Sequence, residues 1–158
     1  MKITILAVGK LKEKYLVQGM QEFIKRLKPY CSLEILEVSE NALPEKFSTA
    51  QLQEHLEIEA QKILKLVPER AYMFLLDLHG QQLSSEALAA QIDGLTNNYS
   101  QFVFVIGGAF GVGESLRKRA DYRWSFSQLT FTHQMIRLLL IEQVYRAFKI
   151  NKGEKYHW

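Results

Sequence analysis

Cysteine is almost missing from this chain: Cys31 is the single example in 158 residues. A lone thiol closes no internal bridge, and no Cys/His set has zinc spacing, so disulfide scaffolds and zinc modules are excluded. Cys31 follows Pro29 and Tyr30 just ahead of an apolar run, the setting of a filler beside the core in a reduced compartment. Proline is scarce too. Pro29, Pro44 and Pro68 each fall between apolar patterns, and no repeat, low-complexity tract or Pro/Gly/Ser linker divides the chain. One domain over residues 1–158 is expected. Long apolar runs are also lacking. The opening stretch to Val8 is too short for a secretion leader and is followed at once by Lys10, Lys12 and Lys14. The longest later run, Leu138 to Ile141, falls far short of a membrane span. A soluble, cytoplasmic protein with no membrane contact is expected. Two nucleotide fingerprints are absent as well. Gly9-Lys10-Leu11-Lys12 after the first apolar segment is not Gly-x-Gly-x-x-Gly, which argues against a Rossmann dehydrogenase or the common Rossmann-type methyltransferase. The glycine cluster at 107–113 has no Gly-Lys-Ser/Thr, so it is not a P-loop.

What is present is an ordinary globular composition with unevenly spread charge. Apolar residues make up 47% and charged residues 23%, enough for a core without staples. The net charge of +3 conceals three blocks: residues 1–28 carry +5, residues 29–113 carry −7, and residues 114–158 carry +5. Ends that met in space would form a positive face for phosphate. Scattered solvated lysines would give the same count.

Apolar periodicity places strands at 2–8, 33–38, 71–78 and 101–106, with a short last strand at 124–127. Between them lie helices over 12–27, from a Ser48 cap to about Val67, and from a Ser84 or Ser85 cap to about Asn97. A short helix begins near Glu114 and a long one covers 133–149. Strands alternating with helices predict an α/β fold with a mostly parallel sheet and helices on both faces. Ligands in such sheets sit beyond the carboxyl ends of the strands. The segments after Val8, Leu78, Ile106 and Ser127 are therefore the candidate site.

Three of these segments have chemistry to offer. Asp77, near the end of the third strand, suits either a ribose hydroxyl or the cap of the next turn. Four glycines in the seven residues Gly107–Gly113 leave main-chain amides approachable at a strand-to-helix junction. Ser125 to His133 alternates hydroxyls with apolar residues, which fits an edge strand or a loop that sandwiches an aromatic ring and offers amides. The last helix is apolar around most of its circumference, so it must be buried nearly all round, and a second copy of the chain would bury it. Its Arg137 lies within about 40° of His133 on the helical wheel. A cation there needs a structural carboxylate or an anionic ligand, and the ligand is the favoured expectation. The tail Lys152–Trp158 mixes aromatics, a histidine and lysines, a composition that suits bases and phosphates as well as a frayed end.

Several of these runs, taken together, resemble one family. They are Lys2-Ile3-Thr4-Ile5-Leu6-Ala7-Val8-Gly9-Lys10, Phe104-Val105-Ile106-Gly107-Gly108, Ser125-Phe126-Ser127 through Thr130-Phe131-Thr132-His133-Gln134, Arg137, Ile141-Glu142-Gln143-Val144-Tyr145-Arg146-Ala147 and Tyr156-His157. The chain closely resembles the RlmH family, pseudouridine N3-methyltransferases of large-subunit ribosomal RNA within the SPOUT superfamily. The resemblance implies a C-terminal trefoil knot, a homodimer, and S-adenosylmethionine held by Leu76, Gly108, Ser127, Gln128, Leu129, Thr130, Phe131 and Thr132. It implies a pseudouridine target in the helix 69 loop of 23S ribosomal RNA, recognised in the assembled ribosome. Three positions depart from the family pattern. Thr132 stands where proline is common, Gln81 where lysine is common, and Trp158 where a basic residue often follows Tyr-His.

Methylating a pseudouridine needs an in-line acceptor nitrogen freed of its proton. His133 is the first candidate for base or orienter and His157 the second, with a plain helix-start role for His133 the alternative. Arg137 would hold a phosphate or the uracil anion, and Tyr156 would stack on the base. No metal is needed. Competing readings are a SPOUT enzyme acting on another RNA such as transfer RNA, a non-catalytic RNA-binding dimer, and a flavodoxin-like flavin binder.

Overall fold

The computed structural model describes residues 1–156. Five strands form one sheet: β1 Lys2–Val8, β2 Ser32–Val38, β3 Tyr72–Gln82, β4 Gln101–Ile106 and β5 Tyr122–Ser125. Their order across the sheet is β2-β1-β4-β3-β5, and every pairing is parallel. Five helices connect and follow them: α1 Lys14–Leu27, α2 Thr49–Leu64, α3 Ser85–Leu95, α4 Glu114–Arg119 and α5 Met135–Asn151.

The period of two in the strands decides which helix lies on which face. Ile3, Ile5 and Ala7 of β1 share one core with Phe102, Phe104 and Ile106 of β4, Phe74 of β3, and residues of α1, α3 and α5. Leu6, Val8, Met73, Leu75, Val103 and Val105 point the other way, into a second core with α2 and α4. In the first core the Phe74 and Phe104 rings stack at 4.8 Å, 9° from parallel, as neighbours in register across β3 and β4. Helices therefore cover both faces, which is why β1, β3 and β4 are apolar on both sides.

The helix starts follow from their caps. Ser48 closes a full capping box with Gln51 ahead of α2, and the Ser84 hydroxyl accepts from the Ala87 N–H ahead of α3. Both helices stop short of their expected ends, Val67 and Asn97. Lys65 to Val67 and Thr96 to Tyr99 turn off with tighter bonds instead, such as Leu66 N–H to Ile63 O and Asn98 N–H to Leu95 O.

One expectation is corrected. The last strand is Tyr122–Ser125 rather than 124–127, because Tyr122 and Arg123 pair with Phe74 and Leu75 of β3. Ser127 to Thr132 is thus a loop, and of the two readings of the hydroxyl-rich stretch the loop is the observed one. One face of α5 is buried by the chain itself. α5 lies on the sheet between α1 and α3, with Leu140, Ile141 and Val144 inaccessible. Gly19 of α1 gives Leu138 its close approach, since a Cβ there would sit 2.9 Å from a Leu138 methyl. On the other side the Asn151 amide donates to Ala89 O and the Ser85 hydroxyl to Gln143. Met135, Ile136, Leu138 and Leu139 of the same helix stay half-exposed.

Among the described residues, no helix is long and apolar enough to cross a membrane.

Candidate functional site

β3 runs past the end of its neighbour β4 and breaks register there. Leu76 and Gln81 both lie opposite Trp124, so Asp77 to Gly80 bulge out of the sheet. Asp77 holds the bulge. Its buried carboxylate accepts from the His79 N–H at 3.1 Å, from Arg123 at 2.8 and 2.9 Å, and from Arg117 at 3.2 Å. Burial would raise this carboxyl, but the His79 N–H and the guanidiniums of Arg123 and Arg117 outweigh it and keep the group below the usual range. Of the two roles open to Asp77, the structure shows the cap. Gly80 completes the bulge, because any Cβ there would lie on the Arg123 carbonyl oxygen.

The bulge, the glycine turn and the loop after β5 surround a cleft of about 990 Å³ at the carboxyl edge of the sheet. In the glycine turn the Gly111 N–H donates to Gly108 O at 3.2 Å, and Gly111 takes φ +107°. Only glycine adopts that conformation readily. In the loop after β5 the Ser127 hydroxyl accepts from the Leu129 N–H, and the Thr132 hydroxyl accepts from the Met135 N–H at the start of α5. Among the described residues, the N–H groups of Gln128, Thr130 and Phe131 find no acceptor. Apolar side chains stand open around the same space: Leu129 is 71% exposed, Leu78 61% and Phe110 51%. Free main-chain donors beside open apolar surface are the chemistry a nucleoside needs, with donors for its edge and apolar walls for its faces.

Leu76, Gly108, Ser127, Leu129, Thr130, Phe131 and Thr132 all line the cleft, and so does His133. Gln128 sits in the same loop without lining the cleft. Arg137 is elsewhere. It is 1% exposed, behind His133, and its guanidinium is fully engaged. Nη1 meets Glu37 at 2.8 Å, Nη2 meets Val8 O and Gly9 O at 2.6 and 2.9 Å, and Nε meets His133 O at 3.2 Å. The partner favoured from sequence was an anionic ligand; the structure supplies a carboxylate and the open end of β1 instead. Burial draws the Arg137 group down from its ordinary range while Glu37 acts in the opposite sense. Tyr156 is also outside the cleft. Its hydroxyl donates to Glu142 at 3.1 Å and its ring lies under Arg146 and against Tyr145. His157 lies outside the described residues.

A model of predicted SPOUT methyltransferases matches residues 1–157. The chain belongs to the SPOUT methyltransferase family. Two similar proteins carry the name ribosomal RNA large subunit methyltransferase H. The one from Halothermothrix orenii is 49% identical and the one from Enterococcus faecalis 46%, each over 99% of both chains. A solved structure titled as a probable methylase family protein from Haemophilus influenzae Rd KW20 shares the fold at a TM-score of 0.51 and 11% identity. The match covers 99% of this chain and 70% of that one.

This SPOUT chain also holds site features that sequence reading did not single out. Glu37 and Glu40 reach the site from the end of β2, at Arg137 and His133 respectively. Trp124 lines the cleft floor with its indole N–H buried and unpaired among the described residues. His55 and Glu59 of α2 lie buried behind the glycine turn, 3.3 Å apart. A helical i, i+4 spacing was the only sign of that last pair. Nothing in the pattern of β2 separates Glu37 from the solvent-facing Glu34.

Proposed function

We propose that this chain uses S-adenosylmethionine to methylate N3 of a pseudouridine in the helix 69 loop of 23S ribosomal RNA, on the assembled ribosome. One observation carries the reading. Unpaired main-chain donors and open apolar side chains from three strand ends converge on one cleft that His133 also lines. The names of the two similar full-length proteins support ribosomal RNA as the substrate class. A single catalytic domain, a cytoplasmic location and a trefoil-knotted course for the C-terminal third belong to the same reading and are supported by family membership.

The cofactor fits the cleft. The main-chain groups of Leu76, Gly108 and residues 127–132 would hold its nucleoside, with Leu129 and Phe131 against the ring faces. When bound it supplies an electrophilic methyl on a sulfonium. The protein's own tasks are then to orient the acceptor, exclude water and take one proton. His133, half-buried among the residues that line the cleft, would accept the N3 proton. Arg137 fixes the main chain at His133 through its Nε bond to that residue's carbonyl, so it acts as a positioning group.

On this reading Tyr156 acts across a homodimer. It docks near Glu142, nine residues up α5 from His133, or about 13 Å at 1.5 Å per residue. On this reading the Tyr156 that stacks on the target base beside His133 comes from a second copy.

Calorimetry with S-adenosylmethionine and its demethylated product tests the cleft, with binding expected. Mass spectrometry of ribosomal RNA from a deletion strain tests the target. One lost methyl, restored by the wild-type gene, is the expected result. Methylation of free transfer RNA but not of ribosomes would overturn the substrate.

A further inference from the structure

The segment leaving β2 passes directly in front of His133. Glu40 Oε1 lies 3.6 Å from His133 Nε2. An ion pair at an open surface is usually worth little, because both side chains are free to move. Here the main chain carrying Glu40 is tied down on both sides. Glu37 accepts from Arg137 and from the Leu11 N–H. Val38 O accepts from the Gly9 N–H at 2.8 Å. The Lys62 ammonium donates to both oxygens of Ser39, and the Asn41 N–H donates to the buried Glu59 carboxylate at 3.0 Å. Gly9, at φ +79°, leaves open the space that the Glu40 carboxylate fills; a Cβ there would overlap it. On the other side, Arg137 holds the His133 carbonyl. Carboxylate and imidazole are thus presented to each other by two anchored segments.

A histidine that takes a proton through one nitrogen works best when its other nitrogen is held and the new cation is balanced. With Nε2 facing Glu40, Nδ1 is left for the acceptor. Resting on the reading of His133 as the base, we propose that Glu40 is its positioning residue. The Glu40 carboxylate, 3.6 Å from Nε2, favours the tautomer with its proton on Nε2, leaves Nδ1 open to the acceptor, and balances the imidazolium. In the transfer step the acceptor N3 forms the new N–C bond, the S–C electron pair stays on sulfur, and the N3 proton passes to Nδ1.

The test is methylation kinetics on ribosomes with labelled methyl donor, using Glu40→Gln, Glu40→Asp, His133→Gln and the Glu40→Gln/His133→Gln pair. Circular dichroism and calorimetric donor binding check each variant, and Glu40→Ala serves if Glu40→Gln misfolds. Glu40→Gln is expected to lower kcat about tenfold or more, with KM for ribosomes and donor affinity within about twofold of wild type. Glu40→Asp should recover part of the loss. In the His133→Gln background, Glu40→Gln should have no further effect, because the carboxylate acts only through the imidazole. A wild-type kcat in Glu40→Gln, or losses that multiply in the double variant, overturns the role of Glu40 alone. A fully active His133→Gln overturns the choice of base and the role of Glu40 with it.

Discussion

Replacing Arg137 with methionine should destabilise the protein severely, by an amount that follows from its partners. Methionine roughly conserves the volume, so a cavity does not dominate the result. Lost are the Glu37 pair at 2.8 Å and the donors to Val8 O, Gly9 O and His133 O. Breaking a buried pair from one side costs about 3–5 kcal/mol, and each orphaned buried acceptor costs about 1–3 kcal/mol. Glu37 is one-third exposed and keeps the Leu11 N–H, so its share falls at the low end. With the low end taken for the pair and for each of the three carbonyls, a total of about 6 kcal/mol is expected, a large part of the roughly 5–15 kcal/mol that holds a domain together. Urea unfolding followed by far-UV circular dichroism reads it directly. With a slope of about 2 kcal/mol per molar, the midpoint should drop by about 3 M. Two protein concentrations separate folding from association. Arg137→Lys, which keeps the charge but loses the planar fork, should fall between. If the methionine variant unfolds within about 1 kcal/mol of wild type, Arg137 is not the tie between β1, β2 and α5 described above.

Other outcomes follow from single contacts. Asp77→Asn should cost about 2–4 kcal/mol and weaken donor binding, because two guanidiniums lose their countercharge beneath the cleft wall; chemical denaturation and calorimetry read the two effects. The folded-state pKa of Asp77 lies below its ordinary value, so its contribution is present above about pH 4 and is lost as pH falls through the folded value. Acid titration of wild type against Asp77→Asn should show the two stability curves converging in that range. Gly80→Ala should cost about 2 kcal/mol or more, since its Cβ meets main chain that cannot rotate away. Burial pushes the Cys31 thiol up to about 11, so its alkylation at pH 8 should run about a hundredfold slower than that of a free thiol and speed up toward pH 11. Rapid labelling of the native protein would place Cys31 at the surface.

The order of elements was open to reading because strands β1, β3 and β4 and the two serine-capped helices carry their patterns locally. The cleft loop was half legible. Hydroxyls alternating with apolar residues at 125–133 suited a strand as well as a loop, and only the demand of β3 for Tyr122 and Arg123 as partners resolved it. Seven of the eight residues assigned to the cofactor line one cleft because strand ends in a parallel sheet meet at one edge. The role of Arg137 could not be read from its own helix. Its partners lie 100 to 129 residues away, on the ends of β2 and β1.

By itself, the sequence determined what depends on neighbours along the chain: period, caps, the glycine turn and the parallel α/β class. Only the tertiary structure decided which charges meet. Glu34 and Glu37 are alike in sequence, three residues apart on one strand. Yet Glu34 faces the exposed Lys2, while Glu37 meets the buried Arg137. Strand alternation turns their side chains to opposite faces, and the packing of α5 against one of those faces supplies the difference.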